Sequence, residues 1–133
     1  MNDAVIVGYA RTPIGKLMGG LGGLSAMQLG GHAIAAVLER SGVAADQVDQ
    51  VLMGHVVQAG QGQITARQAA LAAGIGMEVP ATTINKVCLS GTSAVALANQ
   101  LIRVGDADVI VAGGMESMTG GPYLLPKART GYR

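Results

Sequence analysis

Cys88 is the only thiol in a chain of 133 residues. A thiolate is among the strongest nucleophiles an ordinary side chain provides near neutral pH. A cysteine that performs acyl transfer needs a base beside it. The candidates are His32 and His55, the only two histidines, with Glu116 as a carboxylate that follows an apolar run. Ser90, two residues beyond the cysteine, reads as a helix N-cap rather than a second nucleophile, because serine caps helices well. No serine stands in a G-x-S-x-G elbow. Two scattered histidines and one cysteine match none of the usual ligand spacings, so the sequence suggests no metal. The seven methionines are dispersed and read as core filling.

The chemistry of Cys88 depends on what holds it. Ala4 to Val7 is a short apolar, β-branched run and predicts a first strand. A loop with Pro13 and six glycines between Gly8 and Gly23 follows; it has neither the dinucleotide nor the P-loop pattern and reads as a connection. Ser25 with Gln28 forms a capping box that starts a helix ended by Gly42. On it Met27, Gly30, Gly31, Ile34, Val37 and Leu38 share one face, and the two glycines predict a close approach to a sheet. Val51 to Val57 predicts a second strand, with Gly54 as its weak point. Thr65 with Gln68 repeats the capping box before a short helix that Gly74 and Pro80 end. Thr82 to Ile84 predicts a third strand, Ser90 to Val104 a helix stopped by Gly105, and Val109 to Ala112 a fourth strand.

This β-α-β-α-β-α-β order predicts an α/β fold on a parallel sheet, with helices as crossovers. Cys88 then falls between the third strand and its helix. Ligands of open parallel sheets bind at such carboxyl-end junctions. The helix terminus there offers unpaired N–H groups and partial positive charge, which favour a thiolate and can stabilise an oxyanion. The helix behind it carries Gly91, Thr92, Ser93, Ala94, Ala96 and Ala98, small residues that suit burial on several sides. A free cysteine is also often a small buried hydrophobe. On position alone both readings of Cys88 stay open. His32, inside the first helix, reads as a surface or packing residue. His55 reads first as structural, and as a base only if the fold brings it to the thiol. Glu116 could reach the same rim or serve as a charge or cap near Ser117.

Composition narrows the partners. Net charge is +1, and no basic stripe with interleaved aromatics appears, which argues against nucleic acid. The start lacks a basic, apolar leader, and no uninterrupted apolar run nears the ~18 residues of a membrane span. A lone cysteine makes no internal disulfide, so a reduced, cytoplasmic protein is the expectation.

Four stretches in order resemble the thiolase family. They are ARTPIG (Ala10 to Gly15), GHVVQAGQGQITARQAALAAGI (Gly54 to Ile75), INKVCLSG (Ile84 to Gly91) and VAGGMESMT (Val111 to Thr119). The resemblance spans essentially the whole chain and corresponds to the N-terminal portion of the family. It implies a thiolase-like α/β fold with two similar halves and a loop domain. Residues 1–118 would be an incomplete N-terminal domain carrying the nucleophilic Cys88, without its closing strand. Residues 119–133 would begin the loop region of tetramer contacts and coenzyme A binding. The implied reaction is acyl transfer between coenzyme A thioesters through a cysteine acyl-enzyme, with no bound cofactor and acetyl-CoA or a longer acyl-CoA as substrate. The implied assembly is a homodimer or homotetramer.

Two positions depart from the family pattern: Leu89 stands where glycine is common, and Thr92 where a larger apolar residue is. The family's activating His and second Cys lie in later sequence and are not carried onto His55. These 133 residues alone are therefore expected to be inactive, marginally stable and prone to associate. Two other readings accompany this one: a ketoacyl-synthase-like condensing enzyme, and a non-catalytic α/β module that pairs through exposed sheet edges.

Overall fold

The computed structural model describes residues 3–132. Three short apolar runs form strands β1 (Gln50–Gly54), β2 (Ala81–Ile84) and β3 (Ile110–Gly114), all parallel, in the order β2-β1-β3. In register, Leu52 faces Thr82 on one side and Ala112 on the other. Successive side chains of β1 point to opposite faces, so Val51 and Met53 join one core and Leu52 another. All three are fully buried, and burial of such a side chain contributes roughly 1.5–3 kcal/mol. Helices α1 (Ala26–Ser41) and α2 (Thr65–Ala72) cover the first face; α3 (Ser90–Val104) covers the second. The result is a three-layer α/β/α arrangement, as the element order predicts.

Several local expectations change. Ala4 to Val7 forms no strand and pairs with none among the described residues. It lies across a groove of about 500 Å³ from the outer edge of β3, with α1 and α3 forming the other walls. Arg40 of α1 donates to the Tyr9 carbonyl at 3.3 Å, so the segment is tied to a helix instead. Val5, Ile6 and Val7 are consequently exposed.

The strand expected to reach Val57 stops at Gly54. His55 N–H still donates to the Ile84 carbonyl at 3.0 Å. The next two amides, of Val56 and Val57, donate to the Glu116 carboxylate at 3.0 and 2.9 Å, and this side chain ends the ladder.

The α1 capping box forms as read: Ser25 Oγ accepts from Gln28 N–H, and Gln28 Oε1 accepts from Ser25 N–H. Its two glycines, however, admit a helix rather than the sheet. A Cβ on Gly31 would lie 2.7 Å from Ala72 Cβ, and one on Gly30 would lie 2.6 Å from Met115 Sδ. The second capping box does not form. Ile64 occupies the cap of α2 with φ 46°, Thr65 turns inward, and Gln68 donates to the Gln61 and Gln63 carbonyls.

Helix α3 is buried on one face only, through Ser90, Ala94 and Ala98, while Val95 and Val104 stay exposed. With the turn before it, Val87–Val104 reaches a mean hydropathy of 1.2 over 18 residues, enough by length and composition to span a membrane. The polar residues Asn99, Gln100 and Arg103 conceal this in the sequence. Here that stretch packs one face on the sheet. Before β3, the Asp49 carboxylate accepts from the amides of Val109 and Asp108, which holds it below the usual carboxylate range and fixes the turn to β1.

Candidate active site

The carboxyl ends of the three parallel strands converge on one rim. β2 ends at Ile84 and α3 begins at Ser90, so the intervening five residues form a tight strand-to-helix elbow with Cys88 near its apex. Cys88 is a free, exposed thiol, so it is not a buried hydrophobe. Val87, just before it, has φ 53°, in the left-handed region that a β-branched residue rarely enters.

Ser90 does not cap α3 as expected. It is the first helical residue, Leu89 takes the cap position, and the Ser90 hydroxyl works backwards into the elbow. Its Oγ–H donates to the Val87 carbonyl at 2.6 Å, and its oxygen accepts from Lys86 N–H at 2.8 Å. Asn85 completes the turn. Its Oδ1 accepts from Val87 N–H at 3.1 Å, and its Nδ2 donates to the Val56 carbonyl at 3.4 Å.

The first amides of the helix are only partly free. Leu89 N–H donates to the Lys86 carbonyl and Ser90 N–H to the Val87 carbonyl. Among the described residues, the amides of Cys88, Gly91 and Thr92 take no protein acceptor, and the Gly91 nitrogen is packed against the end of β1. Gly54, read in the sequence as a weak point, is the seat of this helix end. A Cβ there would lie 2.5 Å from Gly91 N and 2.7 Å from Ser90 Cβ. Only a residue without a side chain lets α3 stand so near the end of β1.

A second polar cluster lies beside the elbow. His55 is buried at 1% exposure. Its Nδ1 is 2.9 Å from Thr65 Oγ1, and its Nε2 is 3.4 Å from Glu116 Oε1. Thr65 Oγ1 in turn lies 3.3 Å from Thr83 Oγ1, which accepts from Ala66 N–H at 2.9 Å. One assignment of protons fits the chain of hydroxyls: Thr83 donates to Thr65 and Thr65 donates to His55 Nδ1, with Nε2–H left facing Glu116 at 3.4 Å. Burial holds the imidazole below its ordinary pKa, against the opposing pulls of the Glu116 charge and a Val57 backbone hydrogen bond. Burial thus favours a neutral His55, which accepts at Nδ1.

This places the sequence candidates. Among the described residues, no hydrogen bond or ion pair joins Cys88 to His32, His55 or Glu116. His32 is exposed on α1. His55 is held in the buried cluster with Thr65, as its structural reading expects. Glu116 caps no helix, since none follows it among the described residues; its carboxylate instead ties the two residues after His55 to the loop after β3. Asn85, Thr65 and Thr83 were not legible as partners, because each acts through a contact distant in sequence or through a backbone conformation. Among the described residues no three His, Cys, Asp or Glu side chains cluster in a way that could hold a metal ion.

Residues 4–133 match the family model for the thiolase N-terminal domain. The chain belongs to the thiolase family. It is 59% identical over 133 residues to the probable acetyl-CoA acetyltransferase of Mycobacterium tuberculosis, covering all of this chain and 34% of that protein. It is 53% identical, over the same share of both chains, to the acetyl-CoA acetyltransferase of Pseudomonas aeruginosa. The crystal structure of Acat5 thiolase from Ascaris suum in complex with coenzyme A superposes with a TM-score of 0.92 at 36% identity, covering 95% of this chain and 33% of that one. The thiolase chain described here thus spans about a third of the length of the relatives it matches. The fold is that of a thiolase N-terminal portion, and the elbow that carries Cys88, within INKVCLSG, lies inside the matched residues.

Proposed function

We propose that Cys88 is the acyl-accepting nucleophile of a thiolase that transfers acyl groups between coenzyme A thioesters. The observation that carries this is the exposed thiol on a strained strand-to-helix elbow, inside a segment that is part of a thiolase domain. The unpaired amides around it suit the oxyanion that forms when a thiolate attacks a thioester carbonyl. The names of the relatives and the coenzyme A held by the Ascaris protein support acetyl-CoA as the acyl donor.

Cys88 has no base among the described residues, so these 133 residues carry the acyl acceptor and not the whole reaction. The unpaired outer edge of β3 and the groove beside it support the reading that residues 1–118 are a domain whose closing strand comes from elsewhere. Residues 119–132 contain turns but no helix or strand and expose Tyr123, Leu124 and Leu125, which supports a contact-forming loop and a homo-oligomer. The free thiol supports a reducing, cytoplasmic setting.

The test is intact-mass analysis after incubation with acetyl-CoA, for this chain and for Cys88→Ser. A single acetyl adduct lost in the variant is the expected result. An adduct that survives the substitution would sink the assignment. If neither forms one, the same pair is compared in a chain extended to the full length of its relatives; absence of a Cys88-dependent adduct there also refutes it.

A further inference from the structure

The elbow before Cys88 is held in a conformation its own residues do not favour. Val87 sits at φ 53° although a Cβ-branched side chain disfavours the left-handed region. Packing does not compensate, since the Val87 side chain is 65% exposed. What remains is the hydrogen bonding of its two peptide groups. Asn85 Oδ1 takes the N–H, and Ser90 Oγ–H takes the carbonyl, with Ser90 N–H on the same oxygen at 3.1 Å.

Both gripping residues are tied to the rim. Asn85 Nδ2 reaches the Val56 carbonyl, and the Val56 and Val57 amides that flank it are held by Glu116. Ser90 is buried against Gly54 at the end of β1. The strained residue is thus clamped from two independent points of the rim, and the residue it presents is Cys88.

We propose that Asn85 and Ser90 are positioning residues that hold Val87 in the left-handed conformation and thereby set Cys88 at the carboxyl rim of the sheet. Neither touches the reacting atoms. The proposal rests on Cys88 being the acyl acceptor for its purpose, but not for its test.

A glycine at 87 enters the left-handed region without steric cost, so it should make the clamp largely dispensable. The experiment compares Asn85→Ala and Ser90→Ala, each with and without Val87→Gly, by the rate at which iodoacetamide alkylates Cys88. The rate in the urea-unfolded chain is the reference, and urea midpoints are measured alongside. In the Val87 background each alanine variant is expected to move the rate about five- to tenfold toward that reference, the scale of a lost hydrogen bond that restrains the elbow. In the Val87→Gly background the same changes are expected to move it by less than about threefold. A general loss of stability would not be suppressed by Val87→Gly, so the suppression isolates positioning.

Unchanged rates in folded alanine variants would overturn the proposal, as would equal effects in both backgrounds or a wild-type rate already equal to the reference. Asn85 is exposed and its alanine variant is expected to fold with a modestly lower urea midpoint, so it carries the test if Ser90→Ala does not fold. Absence of an acetyl adduct on Cys88 in the full-length chain, with the alkylation pattern intact, would remove the acyl role and leave the clamp standing.

Discussion

Substituting Gly54 with alanine should destabilise the fold by about 2 kcal/mol, and the reason is local geometry. The added Cβ would lie 2.5 Å from Gly91 N, 2.6 Å from Ser90 C and 2.7 Å from Ser90 Cβ, while ordinary contact begins at 3.4 Å. The first turn of α3 must therefore withdraw by about 0.9 Å, the difference between 3.4 and 2.5. None of the three atoms is the flexible end of a side chain, so the strain cannot be relieved by a rotamer change. Overpacking of this kind costs typically 1–3 kcal/mol. With a urea slope of about 1.5 to 2 kcal/mol per molar, the midpoint should fall by about 1 M. Gly91 faces the same junction but offers room: a Cβ there meets Gly113 O and Gly114 Cα at 3.7 Å. Gly91→Ala should therefore gain about 0.5–1 kcal/mol from helix propensity. Urea titration of both variants reads opposite signs at neighbouring positions. If Gly54→Ala leaves the midpoint unchanged, or both variants fall equally, α3 does not stand on Gly54 in the way described.

The buried network around His55 makes two further predictions. Because burial lowers the folded-state pKa of His55, the unfolded chain takes up its proton first as the pH drops. The stability that His55 contributes is therefore complete above its ordinary pKa of 6.5 and declines below it, with a limiting slope of about 1.4 kcal/mol per pH unit. Urea midpoints from pH 8 to 5.5 should show this extra slope in the wild type and not in His55→Gln; equal slopes would contradict a neutral His55. Thr83→Val keeps the side-chain shape but strips the acceptor from Ala66 N–H and the donor to Thr65, at a cost of about 1–2 kcal/mol. Thr83→Ser should recover most of that loss in the same titration, and a valine variant as stable as wild type would refute the network.

What the sequence made legible is what depends on pattern over many residues. Helix α3 was read to both of its ends, because Gly105 stops a long run of helix-forming residues and adopts φ 83° as a C-cap. The α1 capping box was readable because both partners are three residues apart. The second box had the same spacing and failed, since Thr65 gains more from His55 and Thr83 inside the fold than from capping its own helix. Periodicity also could not assign partners. Gly30 and Gly31 announced a close approach, yet nothing in their spacing distinguishes a sheet from α2 and Met115. Ala4 to Val7 has a strand's composition, and only the groove beyond β3 explains why it bonds to no neighbour.

The site divides along the same line. A lone cysteine between a strand and a helix can be found by inspection, and its family can be named from four short motifs. The conformation that presents it cannot, because the residue bearing the strain is an ordinary valine. A glycine at 87 would have marked the turn in the sequence, and would also have left the elbow free to take other shapes. With valine the chain has few acceptable conformations there, and the clamp from Asn85 and Ser90 selects one of them. On the proposed clamp, the place of the thiol is set by Asn85, tied to the loop after β1, and Ser90, packed on its end, rather than by the thiol's own contacts. This is why Cys88 can remain exposed, without a side-chain hydrogen-bond partner among the described residues, and still occupy a defined place on the rim.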